Sequence, residues 1–143
     1  MNHQPTPLQP DWTGSCGQHL DPQVIASLLN LAGEDEPDLV LELIDLFLED
    51  ADVRILALQQ ATKAQEWDRV VKIAHTLKGA SATIGAQPFS VACREVEMEA
   101  REGDLTPRTL KHALDSHLNT QFCLISLRAK LTGLDGSTIR KTA

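Results

Sequence analysis

The sequence predicts an all-α protein: an antiparallel four-helix bundle with an additional short N-terminal helix. Three observations predict it. Apolar residues recur at helical spacing through most of the chain. The breaks between these runs carry Pro and Gly where helices start and stop. No run alternates apolar and polar residues beside hairpin turn chemistry. Short connections then place consecutive helices side by side and antiparallel. At 143 residues the chain fits one domain. The bundle is assigned to residues 20–132, between a flexible leader at 1–19 and a flexible tail at 133–143.

In the leader, Pro5, Pro7, Pro10, Gly14 and Gly17 stand among polar residues, a mix that forms no packed element alone. Asp21-Pro22 then supplies an N-cap and a proline for the first helix, which carries Val24, Ile25, Leu28, Leu29 and Leu31 and stops at Gly33. The turn Glu34-Asp35-Glu36-Pro37 opens a long second helix from Asp38 to about Ala64. Its polar positions Asp38, Glu42, Asp45, Glu49 and Asp52 form one narrow stripe, so the other faces should be covered by neighbours or by a partner chain. A third helix runs from about Glu66 to Ile84, with Trp67, Val70, Val71, Ala74, Leu77, Ser81 and Ile84 inward. Gly85 and Pro88 break it, and a fourth helix continues to Glu102, before Gly103-Asp104. The fifth, capped by Thr106 with Pro107 in first position, runs to about Leu131, before Gly133.

Composition narrows the function classes. Thirteen basic against twenty acidic residues give a charge of −7, which disfavours nucleic acid or an anionic membrane as the main partner. Aromatics are 3% with no Tyr, so stacking platforms for bases or sugars are nearly excluded. No segment approaches the ~18 apolar residues of a membrane span. The N-terminus has neither a basic nor an apolar region of a secretory signal, so the cytoplasm is the expected compartment. Cys16, Cys93 and Cys123 are scattered and form no CxxC pair. They are read as reduced, buried or half-buried thiols rather than a disulfide or a zinc site.

One stretch departs from ordinary helix composition: His75-Thr76-Leu77-Lys78-Gly79-Ala80-Ser81-Ala82-Thr83-Ile84-Gly85. A mid-helix Gly costs about 1 kcal/mol relative to Ala, and its neighbours leave a whole turn almost without side-chain bulk. His75, Lys78, Gly79 and Ala82 fall at i, i+3, i+4 and i+7, on one face turned away from the apolar stripe and towards solvent. A neutral imidazole is a competent nucleophile near neutral pH. Lys78 would offset phosphoryl charge, and the missing bulk at Gly79 and Ala82 would let a second protein bring its own active site to His75. Phosphoryl transfer onto and off a histidine uses all three features.

This block, with Cys93-Arg94-Glu95-Val96-Glu97 and Ala100-Arg101-Glu102-Gly103-Asp104 after it, resembles the signature of histidine-containing phosphotransfer (HPt) domains of two-component phosphorelays. The likeness covers roughly residues 20–131. Ala80 stands where the family often has Ser, and Val96 where it often has Leu; neither removes a group the chemistry requires. The resemblance implies a helical bundle in which His75 is the phosphoacceptor through Nε2, Lys78 its electrostatic partner and Gly79 the clearance residue. It also implies that Gln87 is a polar neighbour of the histidine. It implies receiver domains of a hybrid histidine kinase or a response regulator as partners, with Mg²⁺ on the receiver and no metal or cofactor on this chain. A free-standing monomer is expected.

The remaining polar groups are read as solvated surface. His112 and His117, five apart, are poorly placed to share a metal, and His3 and His19 fall in the leader. The acidic stripe of the second helix forms no cation cage. The cluster Arg94, Glu95, Glu97, Glu99, Arg101 and Glu102 is read as a wet face. The alternatives are a phosphoacceptor domain of a chemotaxis-type or hybrid histidine kinase, or a helical adaptor that is never phosphorylated. No GxxxxGK[ST] nucleotide motif is present, and the chain has no room for a separate nucleotide domain.

Overall fold

A computed structural model of the chain describes residues 15–32 and 37–133. The expected leader at 1–14, His3, the stop at Gly33, the acidic turn 34–36 and the tail from 134 lie outside the described residues. Among those described there are five α-helices and one short 3-10 turn, and no strand. The helices are α1 (Pro22–Ala32), α2 (Pro37–Lys63), α3 (Trp67–Thr83), α4 (Gln87–Arg101) and α5 (Pro107–Thr132); the 3-10 turn is Ser15–Gln18. The last four pack as the bundle, with α4 between α3 and α5, and α2 against both α3 and α5. Among the described residues no helix is long and apolar enough to cross a membrane.

The core is aliphatic, as the aromatic content requires. Val40, Ile44, Phe47, Ala51, Ile55 and Leu58 of α2 face Val70, Ala74 and Leu77 of α3, Phe89 and Val96 of α4, and Leu124 and Leu127 of α5. Phe89 is fully buried and meets Phe47 edge-on, ring centres 6.5 Å apart. The start of α5 follows its sequence: Thr106 Oγ1 accepts from the Thr109 N–H at 3.2 Å. Glu99 reaches from the end of α4 to accept from the Thr106 N–H at 2.9 Å, which ties the two helices at their junction.

Several expectations need correction. Cys16 and Cys123 are joined in a disulfide across a sequence separation of 107 residues. Scattered spacing hid the pair because the N-terminal turn folds back onto α5. Closing so long a loop is worth about 4–5 kcal/mol in chain-entropy terms. Cys16, inside the span read as a flexible leader, is therefore packed (6% exposed), just ahead of Leu20 (1%) at the first position of the expected bundle. Only Cys93 is a free thiol among the described cysteines, and burial pushes it up to about 12.

His117 is likewise not a surface group. It is buried beside Phe89 (ring centres 5.7 Å apart), and desolvation pulls it below its ordinary value against the opposing pull of Asp52, 3.5 Å away. The acidic stripe of α2 is only partly solvent-facing in function. Asp45 takes two hydrogen bonds from Arg128 of α5, at 2.6 and 3.1 Å, and hydrogen bonding from that side chain is the main cause that lowers its carboxyl. Asp52 accepts from Gln121 at 3.1 Å. The apolar flank of α2 is not fully covered either: Leu46 is 64% exposed and Leu43 42%.

The α3–α4 turn shows why glycine stands at its centre. Gly85 has φ +85°, and an added Cβ would lie 3.0 Å from Val24 Cβ and 3.1 Å from Val24 Cγ1 of α1. Its carbonyl accepts from the Asp21 N–H at 2.8 Å, so the turn also anchors the start of α1. Gly85→Ala is therefore expected to destabilise the fold by about 1–3 kcal/mol, through backbone strain and overpacking together. Urea unfolding measures this; an unchanged midpoint would mean that α1 is not seated on the turn.

Candidate functional site

Because α3 and α4 run antiparallel from one tight turn, a residue several positions before the turn lies opposite one as far after it. His75 on α3 thereby meets Glu97 on α4: His75 Nδ1 lies 3.1 Å from Glu97 Oε2. The imidazole itself is 65% exposed, whereas Glu97 is 5% exposed. Lys78 Nζ is 3.0 Å from the other oxygen, Oε1, and Arg101 Nη2 donates to Oε2 at 2.7 Å.

A buried carboxylate needs such partners. Burial pushes the Glu97 carboxyl upward, and Arg101, Lys78 and His75 together outweigh it, leaving the group at about 2. Glu97 is thus ionised at neutral pH and can only accept hydrogen bonds. It follows that Nδ1 carries the proton in the neutral ring, and the lone pair is left on Nε2. With the imidazole neutral, one carboxylate against Lys78 and Arg101 leaves the cluster net positive by one charge.

The small-residue turn of α3 has two sides. Ser81 is fully buried and donates to the Leu77 carbonyl at 2.6 Å, while Ser90 of α4 donates to the Lys78 carbonyl at 2.9 Å. These hydroxyls let the two backbones approach closely. On the other side Gly79 is exposed, and a Cβ there would meet nothing within 4 Å. Ala82 is half-buried one turn further on.

His75, Lys78 and Gly79 therefore stand together as the spacing implies, but Lys78 points into the Glu97 pair rather than standing free. Gln87 does not join them. It is exposed at the first position of α4, ten residues from Glu97, about 15 Å along the axis at 1.5 Å per residue. The polar neighbour of the histidine is Glu97, which sequence reasoning placed on a wet face. The signal was available: Cys93, Glu97 and Ala100 share the buried stripe with Val96, so Glu97 falls in a core register. Arg101 follows one turn later.

A groove of about 390 Å³ opens beside the same stretch of α3. Leu43, Leu46 and Phe47 of α2 and Leu28 of α1 form its apolar walls, and Ala80 and Thr83 of α3 its edge. Thr83 stands on the His75–Gly79 face, at i+4 from Gly79, and donates to the Gly79 carbonyl at 3.0 Å.

A family model described as the Hpt domain matches residues 42–133. The chain belongs to the Hpt-domain family. Hpt-domain proteins are phosphotransfer carriers rather than typical enzymes. The chain is 26% identical over 102 residues to multistep phosphorelay regulator 1 of Schizosaccharomyces pombe, which covers 68% of this chain and 35% of that protein. It is 36% identical over 76 residues to histidine-containing phosphotransfer protein 1 of Arabidopsis thaliana, covering 52% of this chain and 49% of that protein. The Hpt chain thus spans about a third and about half the length of these curated relatives. The crystal structure of histidine-containing phosphotransfer protein B from Pseudomonas aeruginosa PAO1 superposes with a TM-score of 0.71 at 30% identity. That superposition covers 78% of this chain and 96% of that one.

The electrostatics of Glu97 make a pH prediction. Its folded value of about 2 lies below the ordinary 4.5, so its stabilising contribution is whole above the ordinary value and is lost as pH falls towards 2. Glu97→Gln is expected to cost about 1–3 kcal/mol at pH 7 and to flatten the decline in stability between roughly pH 5 and 2. Urea melts across that range measure both. An unaltered acid profile in the variant would show that Glu97 does not carry this charge network.

Proposed function

We propose that this Hpt-domain protein is a phosphorelay intermediate of two-component signalling. His75 accepts a phosphoryl group from the aspartate of a receiver domain and returns it to another receiver. The observation that carries the reading is an exposed imidazole whose Nδ1 is held by a buried, ionised carboxylate, beside a helix face left bare at Gly79.

Held in this way, Nε2 is the nucleophile. Its lone pair attacks phosphorus in line, the N–P bond forms, and the bond from phosphorus to the aspartyl oxygen breaks, freeing the carboxylate. No proton need leave His75, because Nδ1 keeps its own. The phosphorylated ring then carries a positive charge, which the Glu97 carboxylate offsets, so that the group is held without being trapped. Lys78 and Arg101 keep Glu97 ionised and leave the surface positive towards an incoming phosphoryl group. Divalent metal and the aspartate belong to the receiver. The groove at Leu43, Leu46 and Phe47, edged by Ala80 five residues on from His75, offers that receiver an apolar contact.

The test is transfer from a radiolabelled phospho-receiver with Mg²⁺. The label is expected to move to this chain as an acid-labile, base-stable phosphate, and His75→Gln to abolish it without changing the helical circular dichroism. Label acquired from ATP alone would replace the relay reading with a kinase. No label from any receiver would leave the adaptor reading standing.

Gly79 separates docking from folding. Gly79→Ala is expected to stabilise the helix by about 0.5–1 kcal/mol. Gly79→Leu is expected to keep the fold but slow transfer about tenfold or more, equivalent to ~1.4 kcal/mol of lost docking. Unimpaired transfer by the leucine variant would move the contact surface elsewhere.

A further inference from the structure

The Cys16–Cys123 disulfide has no part in the chemistry at His75, yet it lies at one end of a chain of contacts that reaches the groove. Cys16 is bonded to α5, and the chain turns at once, with the His19 and Leu20 N–H groups both donating to the Cys16 carbonyl at 2.9 Å. Leu20 is buried, and Asp21 hangs on the Gly85 carbonyl. One turn into α1, Val24 packs on Gly85; one turn further, Leu28 becomes a wall of the groove. Otherwise α1 is thinly held. Ile25 is its one fully buried residue among those described, and Leu31 is 86% exposed. A helix with so little buried surface opens locally unless its ends are fixed.

We propose that Cys16 and Cys123 form a reversible thiol–disulfide site that sets the α1 wall of the groove, so that the oxidised chain docks its partner better than the reduced one. The docking half of this inference rests on the phosphorelay reading of the groove; the α1 half does not. Formation is two successive exchanges with a low-molecular-weight disulfide such as oxidised glutathione. The Cys16 thiolate attacks one sulfur of that disulfide and expels the first small thiol. The Cys123 thiolate then displaces the second from the mixed disulfide. Two protons and two electrons leave the protein, and the small disulfide is reduced to two thiols. A dithiol reverses the steps. Cys16 is assigned the first exchange because, at 6% exposed on a four-residue turn, it is the less buried of the pair, Cys123 being 2% exposed within α5. Cys93 takes no part, because Cys16 and Cys123 pair with each other and Cys93 lies buried and free in α4.

The experiment compares the full chain equilibrated with oxidised glutathione or with dithiothreitol. In the oxidised form alkylation should label Cys93 alone after unfolding, and in the reduced form all three cysteines. Amide hydrogen exchange across residues 16–32 should rise about tenfold or more on reduction, with α3 and α4 little changed. Transfer from a phospho-receiver should fall several-fold on reduction, while chemical labelling of His75 by phosphoramidate stays constant. Cys16→Ser should behave as the reduced form in both buffers. Three thiols labelled after glutathione treatment, or equal exchange across α1 in the two forms, would overturn the proposal. Equal receiver transfer in the two forms would overturn its docking half. Failure of every receiver on both forms, with phosphoramidate labelling intact, would sink the relay reading and leave the exchange data to judge the disulfide.

Discussion

The carboxylate of Glu97 is the constraint on which the site depends. A buried charge is tolerated only where partners surround it, and here the partners come from two helices: His75 and Lys78 from α3, Arg101 from its own α4. That requirement fixes the register of α3 against α4 more narrowly than apolar packing does, since a slide of one turn would strand the charge. It also orients a ring that is otherwise mostly in solvent. A histidine 65% exposed would sample several rotamers; one hydrogen bond to an immobile acceptor selects both a rotamer and a tautomer.

The same register depends on small residues. Ala74 and Ser81 of α3, Ala86 of the turn, and Ala92 and Ala100 of α4 are all buried, and small side chains at such positions let helices pack closely. Serine serves at two of the closest points because a buried hydroxyl can satisfy itself on a helix carbonyl. Ser81 does so within α3, and Ser90 does so across the interface, onto Lys78. The bare turn around Gly79 is thus explained twice over: by close packing on the Ser81 side and by open space on the Gly79 side.

This double role bears on what the sequence reveals. The helices were legible to within a residue or two, because Pro22, Pro107, Gly85 and Gly133 act locally and periodicity does the rest. His75, Lys78 and Gly79 were legible because they lie within one turn of each other. Glu97 was not read, since its neighbours Glu95, Glu99 and Glu102 suggest a wet face, and only the helical register distinguishes a buried glutamate from exposed ones. The disulfide and the buried His117 were missed for a different reason. Each depends on how distant segments are brought together, Cys16 onto α5 and Phe89 under the His117 ring, and no local pattern encodes that. Gln87 shows the converse error. A position assigned by likeness alone falls at the wrong end of α4, where the rise along the helix separates it from the histidine.

The division of labour among the helices has a further consequence. The charge network is confined to α3 and α4, whereas the groove is built from α1, α2 and the end of α3 at Ala80 and Thr83. Only α3 belongs to both. Substitutions in the exposed leucines of α2 therefore change the surface offered to a partner without reaching Glu97. Substitutions along the α3–α4 interface change the histidine without altering the groove's apolar walls. Under the relay reading this separation matters, because one phosphoacceptor must serve two receivers whose chemistry is the same and whose surfaces differ. A fold that keeps reactivity on one helix pair and recognition on another can vary the second while holding the first constant. The thin packing of α1 puts the most adjustable wall on the recognition side.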